Sequence, residues 1–287
     1  MDLLNLIKAL ILGIVEGLTE FAPVSSTGHM IIVDDMWLKS MDFLGKYTAN
    51  TFKIVIQLGS ILAVVVVFRN RFIDLLGLKR LSRKERTPVP EGEDAVAPSG
   101  SRLKLAQVLV GLIPAGVLGF IFDDYIDEHL FSTRTVLIGL VLGAILMILA
   151  DRFAPKKTTA ETVDQITYRQ ALSVGLVQCL SLWPGFSRSG STISGGVLLG
   201  MSHRAAADFT FIMAVPIMAG ASLISLLKNW QYFTLDALPF FIVGFLSAFV
   251  FALLSIRFFL KLINRIKLMP FAIYRILLAA VVYLVWF

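Results

Sequence analysis

The sequence predicts an all-α polytopic membrane protein with six transmembrane helices plus two re-entrant helix hairpins, arranged as an inverted-topology repeat. Three observations carry this. The first is composition: 57% of the residues are hydrophobic and 16% charged, and the mean hydropathy is +0.80, whereas a soluble domain carries about 25% charged residues. The second is a series of apolar runs of bilayer-crossing length joined by short polar connections. The third is a pair of interrupted segments that match each other at a fixed spacing. All of residues 1–287 therefore read as a single integral-membrane domain, with repeat one over about 1–152 and repeat two over about 167–287. The net charge of +6 is concentrated in a few connections, which fits the positive-inside rule and argues against nucleic acid as a partner. The single cysteine, Cys179, excludes an intrachain disulfide and a thiolate metal site. No basic leader with a small-residue cleavage site is present at the start, so no cleaved signal peptide is expected.

Leu3 to Leu18 has helical character but is short for a span, and Phe21-Ala22-Pro23 stops it. A second apolar piece, Met30 to Val33, precedes Asp34-Asp35, so the pair reads as a re-entrant hairpin. Six better spans follow: Ile54 to Phe68, Leu105 to Phe122 with Pro114 inside, Thr135 to Ala150, Phe209 to Leu227 with Pro216 inside, Leu238 to Ile256, and Phe271 to Phe287. Ala171 to Leu199 is apolar but broken by Trp183 to Thr192, and reads as the second hairpin. The polar stretch from about 79 to 102 reads as a flexible cytoplasmic loop.

The two broken segments align without gaps at a shift of 162 residues, placing Gly13 on Gly175, Glu16 on Gln178, Ser25 on Ser187 and Ser26 on Arg188. Three spans follow each segment, and an odd number reverses the orientation of the second copy. Charge tests this. Arg69 to Lys104 holds nine basic and five acidic residues, whereas Asp123 to Arg134 holds four acids and one base. Asp151 to Arg169 and Arg257 to Lys267 each carry four bases. The alternation places both termini outside, the first hairpin entering from outside and the second from the cytoplasm.

Ionisable groups at membrane depth point to function. Glu16 and Glu20 are four residues apart on one helix face, and two such carboxylates suit either a hard divalent cation or one shared proton. Ser25, Ser26, Thr27 and Gly28 offer hydroxyls and backbone N–H groups at the start of the next helix, where anions bind. Their simpler role is helix capping. His29 titrates near neutrality. In the second loop Arg188 is flanked by Ser187 and Ser189, with Thr192 opening a helix, and a guanidinium suits phosphate; Arg188, Ser25, Thr27, Ser187, Ser189 and Thr192 are the expected contacts to the substrate phosphate. Carboxylates, a phosphate clamp and a hydroxyl or imidazole for attack are what phosphoryl transfer needs. Arg275 reads as a snorkelling or structural residue, and His129 and His203 as surface groups. A rival reading is a flippase or transporter of a polyprenyl phosphate lipid, since inverted repeats with broken helices are common in transporters.

E-G-L-T-E-F-A-P-V-S-S-T-G-H (Glu16 to His29), P-G-F-S-R-S-G-S-T-I-S-G-G (Pro184 to Gly196) and F-A-I-Y-R (Phe271 to Arg275) resemble the bacitracin-resistance type undecaprenyl-diphosphate phosphatases of the bacterial inner membrane. Ala22 stands where leucine is common in that family, and Ser191 where alanine is common. The resemblance implies hydrolysis of undecaprenyl diphosphate to undecaprenyl phosphate and inorganic phosphate, recycling the lipid carrier of peptidoglycan synthesis and conferring bacitracin resistance. It implies a divalent cation, Mg²⁺ or Ca²⁺, on Glu16 and Glu20. It gives functional roles to Ser26, Thr27, His29 and Arg188, with Ser187, Ser189 and Thr192 alongside. It also implies a multi-pass inner-membrane protein whose site opens to the periplasm. Its partners are the polyprenyl diphosphate and membrane lipids, and a homodimer is compatible with it. The nucleophile stays open among Ser26, His29 and water.

Overall fold

The computed structural model describes residues 3–78, 102–130, 132–232 and 235–287. Among them the regular elements are helical, with one isolated bridge between Ala160 and Met201. The loop expected from about 79 lies outside the described residues up to Ser101. In chain order the helices are α1 (Leu3–Thr19), α2 (Ser26–Met30), α3 (Ser40–Leu44), α4 (Lys46–Val67), α5 (Arg69–Leu75), α6 (Leu105–His129), α7 (Thr133–Phe153), α8 (Tyr168–Gln178), α9 (Arg188–Leu198), α10 (His203–Asn229), α11 (Leu238–Ile266) and α12 (Met269–Trp286).

Six of these, α4, α6, α7, α10, α11 and α12, are long and apolar enough to cross a membrane. They are the six expected spans, but their helices run past the apolar windows. For example, α4 begins at Lys46 rather than Ile54, and α6 continues to His129. A helix satisfies its own backbone whether lipid or water surrounds it, so the end of an apolar run does not end the helix. Pro114 and Pro216 both sit inside continuous helices.

Asp34, which follows the apolar piece Met30 to Val33, is buried. After Met30 the chain continues in π-helical turns over Ile31–Leu38, and Asp34 within them is 1% exposed. Its carboxylate accepts from Ser40 N at 2.9 Å and Ser40 Oγ at 2.8 Å, and pairs with Lys53 at 3.0 Å. It ties the end of the first broken segment to α4.

Small residues set the closest helix contacts. Gly13 and Gly17 of α1 lie against Gly244, Ser247, Ala248 and Ala252 of α11, and a Cβ on Gly17 would stand 2.8 Å from Ala252 N. Ser255 Oγ of α11 donates to Leu18 O at 2.9 Å. On the other side Gly175 of α8 lies against Gly111 of α6, where a Cβ would stand 3.2 Å from Gly111 Cα. Lipid tails are as apolar as leucine, so close backbone approach and dispersion hold such pairs, and only small residues permit it. Thus α1 packs on α11, α8 packs on α6, and α7 packs on α12.

At one end of the bundle Asp151 of α7 accepts from Leu268 N (2.9 Å) and Met269 N (2.8 Å), capping the start of α12. The same carboxylate meets His203 Nε2 at 2.8 Å. His203 is therefore not the free surface group expected of it: its side chain is 14% exposed and joins α10 to α7. His129 is at the surface, with its ring stacked on Tyr125.

Candidate active site

The first loop follows from Pro23. Its ring removes a backbone donor and clashes with the preceding turn, so α1 cannot continue. One more helical bond, Glu20 N to Glu16 O at 2.9 Å, keeps the two glutamates a single turn apart. The chain then turns at Ser25, which has φ +71°, and the Ser25 hydroxyl accepts from Gly28 N to cap α2. Ser187 repeats this arrangement, with φ +76° and its hydroxyl accepting from Gly190 N to cap α9. Few residues other than glycine adopt positive φ. Two serines doing so at positions related by the 162-residue shift impose the same turn on both loops. Gly185, at φ +88°, lies where any Cβ would strike the carbonyl of Val136.

The two loops meet in a short polar chain. Ser26 Oγ donates to Glu20 Oε2 at 2.6 Å. Arg188 Nη2 donates to Glu20 Oε1 at 2.9 Å. Ser189 Oγ donates to the Ala22 carbonyl at 3.2 Å, bridging loop to loop directly. Glu20 is 8% exposed, and Glu16 beside it is 5% exposed with Oε1 lacking any hydrogen-bond partner. The arrangement unites Glu20, Ser26 and Arg188, with Glu16 one turn away. A carboxylate that holds a serine hydroxyl is positioned to take its proton, and an arginine beside them can hold a phosphate oxygen.

The remaining candidates are placed differently. Ser25 and Ser187 use their hydroxyls as caps, and Ser187 Oγ lies 3.3 Å from Ser189 Oγ. Thr27 is half-buried in the first turn of α2. Thr192 is fully buried; its hydroxyl donates to Arg188 O at 2.8 Å and accepts from Thr210 of α10. It orients Arg188 through the backbone and holds α9 to α10. His29 does not meet Ser26: it places Nδ1 2.8 Å from Ser25 O and Nε2 2.6 Å from Tyr274 Oη. On the helix carrying both, Ser26 points back to Glu20 while His29 points to α12.

Arg275 does not snorkel. It is 0% exposed, and Nη2 donates to Gly185 O and Phe186 O, each at 2.9 Å, and to Gly139 O at 3.2 Å. It fastens the second loop to α7 and α12. Sequence reasoning missed Thr210 and Tyr274. Tyr274 stands within F-A-I-Y-R, so the signal was present, but no spacing connects it to His29.

An open, largely apolar groove of about 530 Å³ borders the site. Val15, Leu18, Val33 and Phe271 are among the residues lining it, with His29 and Tyr274 as polar members.

Six apolar spans around a buried carboxylate–hydroxyl–guanidinium chain define a helical membrane protein built for chemistry on an anionic, lipid-like molecule. The chain belongs to the bacitracin resistance protein BacA family, whose model matches residues 9–281. It is 76% identical over 287 residues, covering all of both chains, to a protein of Geobacillus sp. (strain WCH70) named undecaprenyl-diphosphatase. A protein of the same name from Anoxybacillus flavithermus is 74% identical over 287 residues, again covering both chains fully. The undecaprenyl-diphosphatase of Bacillus subtilis (strain 168) is 61% identical over 285 residues, 99% of each chain.

Proposed function

We infer that this chain hydrolyses undecaprenyl diphosphate to undecaprenyl phosphate and inorganic phosphate. The reaction returns the lipid carrier to peptidoglycan synthesis and confers resistance to bacitracin, which sequesters the diphosphate. Full-length relatives carrying the name of this activity support it. The observation that carries the chemistry is Ser26 Oγ held 2.6 Å from Glu20, with Arg188 on the other oxygen of the same carboxylate. A transporter of polyprenyl phosphate lipids needs a cation and N–H donors, but not a hydroxyl seated on a base.

The isoprenoid tail lies in the groove, and the diphosphate reaches Arg188 and the N–H groups at the starts of α2 and α9. Ser26 Oγ bonds to the terminal phosphorus as the bond to the bridging oxygen breaks, and its proton passes to Glu20. Polyprenyl phosphate leaves. Water then attacks the phosphoserine as the Ser26 Oγ–P bond breaks, the proton on Glu20 returns to the serine oxygen, and inorganic phosphate leaves carrying both hydrogens of the water. Arg188 and the loop N–H groups hold the charge that builds on the transferred phosphoryl oxygens. His29 does not touch Ser26, so it is assigned to the groove side, where the bridging oxygen must lie if the tail occupies the groove.

The family resemblance implies a divalent cation. Glu16 presents a buried carboxylate oxygen without a partner, one turn from Glu20. Among the described residues no cluster of three or more His, Cys, Asp or Glu side chains is present. Two carboxylates one turn apart suit a hard divalent cation that takes oxygen ligands, Mg²⁺ or Ca²⁺. Glu16 and Glu20 would hold the cation, which would neutralise phosphate charge.

We read the two broken segments as re-entrant hairpins in an inverted repeat. The supports are the matched turns at Ser25 and Ser187, the crossed packing of α1 on α11 and α8 on α6, and the alternating charge of the connections. On that reading the protein lies in the bacterial inner membrane, the site opens to the periplasm, and both termini are periplasmic. In a Cys179→Ser background, a membrane-impermeant thiol reagent applied to intact cells is expected to label a cysteine at Asp124 and not one at Lys156. The reverse pattern overturns the orientation.

Purified protein in detergent is expected to release phosphate from a polyprenyl diphosphate. A chelator should abolish most turnover and Mg²⁺ restore it. Absence of release from well-folded protein would sink the hydrolase reading, while release unaffected by chelator would remove the cation from it.

A further inference from the structure

Tyr274 and Arg275 are consecutive on α12, and they address different loops of the site. Arg275 holds the second loop through the carbonyls of Gly185 and Phe186. Tyr274 holds the first, with its hydroxyl 2.6 Å from His29 Nε2.

The hydrogen bonds determine more than position. A carbonyl oxygen can only accept, so the contact from Ser25 O at 2.8 Å requires a hydrogen on His29 Nδ1. In the neutral ring Nε2 then carries the lone pair, and the Tyr274 hydroxyl must donate to it. Both ring nitrogens of His29 are thereby occupied, one by its own helix and one by a residue 245 positions away. Tyrosine is also common in membrane interfaces as an amphipathic anchor. An anchor's hydroxyl would be expected to face headgroups or water, whereas this one reaches an imidazole at the groove.

We propose that Tyr274 is a positioning residue for His29: its hydroxyl, donating to Nε2, holds the ring in one orientation and in the Nδ1–H tautomer at the edge of the groove. The inference rests on the reading that His29 serves hydrolysis. Where a histidine ligates a metal, losing the partner that orients it costs about 10- to 100-fold, and a loss of that order is expected here.

The test uses the full chain, purified in detergent, with Tyr274→Phe, which removes only the hydroxyl, and His29→Asn. Tyr274→Phe is expected to lower kcat for phosphate release by about 10- to 100-fold, with KM within about twofold of wild type. It should lower activity no further when added to His29→Asn. Nitrogen-15 NMR of histidine-labelled protein has three histidines to resolve, and His29→Asn identifies the signal. Wild type should show the Nδ1–H tautomer at His29, and Tyr274→Phe a mixture. A wild-type kcat and unchanged tautomer in Tyr274→Phe, with His29→Asn inactive, overturns the inference and leaves the hydrolase reading standing. A change confined to KM overturns it too, since that marks only a wall of the groove. Full activity in His29→Asn instead overturns the role of His29 itself.

Discussion

Replacing Glu20 by glutamine is expected to lower kcat for phosphate release by about 10²- to 10⁴-fold, the range that positioned proton transfer contributes. That equals about 3–5.5 kcal/mol in the barrier. Glutamine keeps the length of the side chain and a carbonyl oxygen for Arg188, but it cannot take the Ser26 proton. Glu20→Ala would be harder to interpret. It would leave Arg188, whose side chain is 15% exposed, without its charge partner, and breaking a buried pair from one side costs about 3–5 kcal/mol of stability. The informative measurement is steady-state kinetics of Glu20→Gln in detergent, alongside its melting temperature. A stable variant with wild-type kcat would remove Glu20 from the proton path. Slowed turnover also makes a covalent intermediate easier to trap, and phosphate found on Ser26 would distinguish serine attack from direct attack by water.

Arg188→Lys should lose about 10²- to 10³-fold in kcat/KM, comparable to deleting one donor from a transition-state site. The charge is retained, so the loss measures geometry. One guanidinium nitrogen of Arg188 holds Glu20 Oε1 at 2.9 Å, and its planar fork leaves further N–H donors for phosphate oxygens. An ammonium is a compact point charge and cannot hold the carboxylate and span two phosphate oxygens in a fixed plane. Both KM and kcat should suffer, because the same donors meet the ground-state diphosphate and the transferred phosphoryl group. Wild-type kcat/KM in Arg188→Lys would reduce Arg188 to an ion-pair partner of Glu20.

Much of the fold is legible in the chain. All six spans stand where the apolar runs place them, and Pro23 ends α1 as its chemistry requires. The chemical inventory is equally local: Glu16, Glu20 and Ser26 lie within eleven residues on either side of one proline. The second loop is legible because it copies the first. The rest depends on partners that other helices and turns of the packed bundle bring in. Asp34 closes the first broken segment on Ser40 and Lys53, a convergence that no residue type announces. Arg275 reads as either snorkelling or structural, and the structural role emerges only from its partners, backbone carbonyls that carry no sequence signal. Thr192 read as a phosphate ligand because a hydroxyl near a helix start has the same letter whether it is buried against Thr210 or free.

The sequence by itself determined the membrane class, the number of spans and the set of groups available for phosphate chemistry. Hydropathy, helix periodicity and proline act over a few residues, so they can be read from neighbours alone. Only the tertiary structure decided the pairings: that Ser26 rests on Glu20, that Arg188 takes the other oxygen of that carboxylate, and that His29 turns to Tyr274. Those pairings depend on how each helix is rotated about its axis, and close contacts such as that of Gly17 against α11 set the rotation. The loop directions depend on two serines held at positive φ. No local pattern encodes either, because both are properties of the packed bundle.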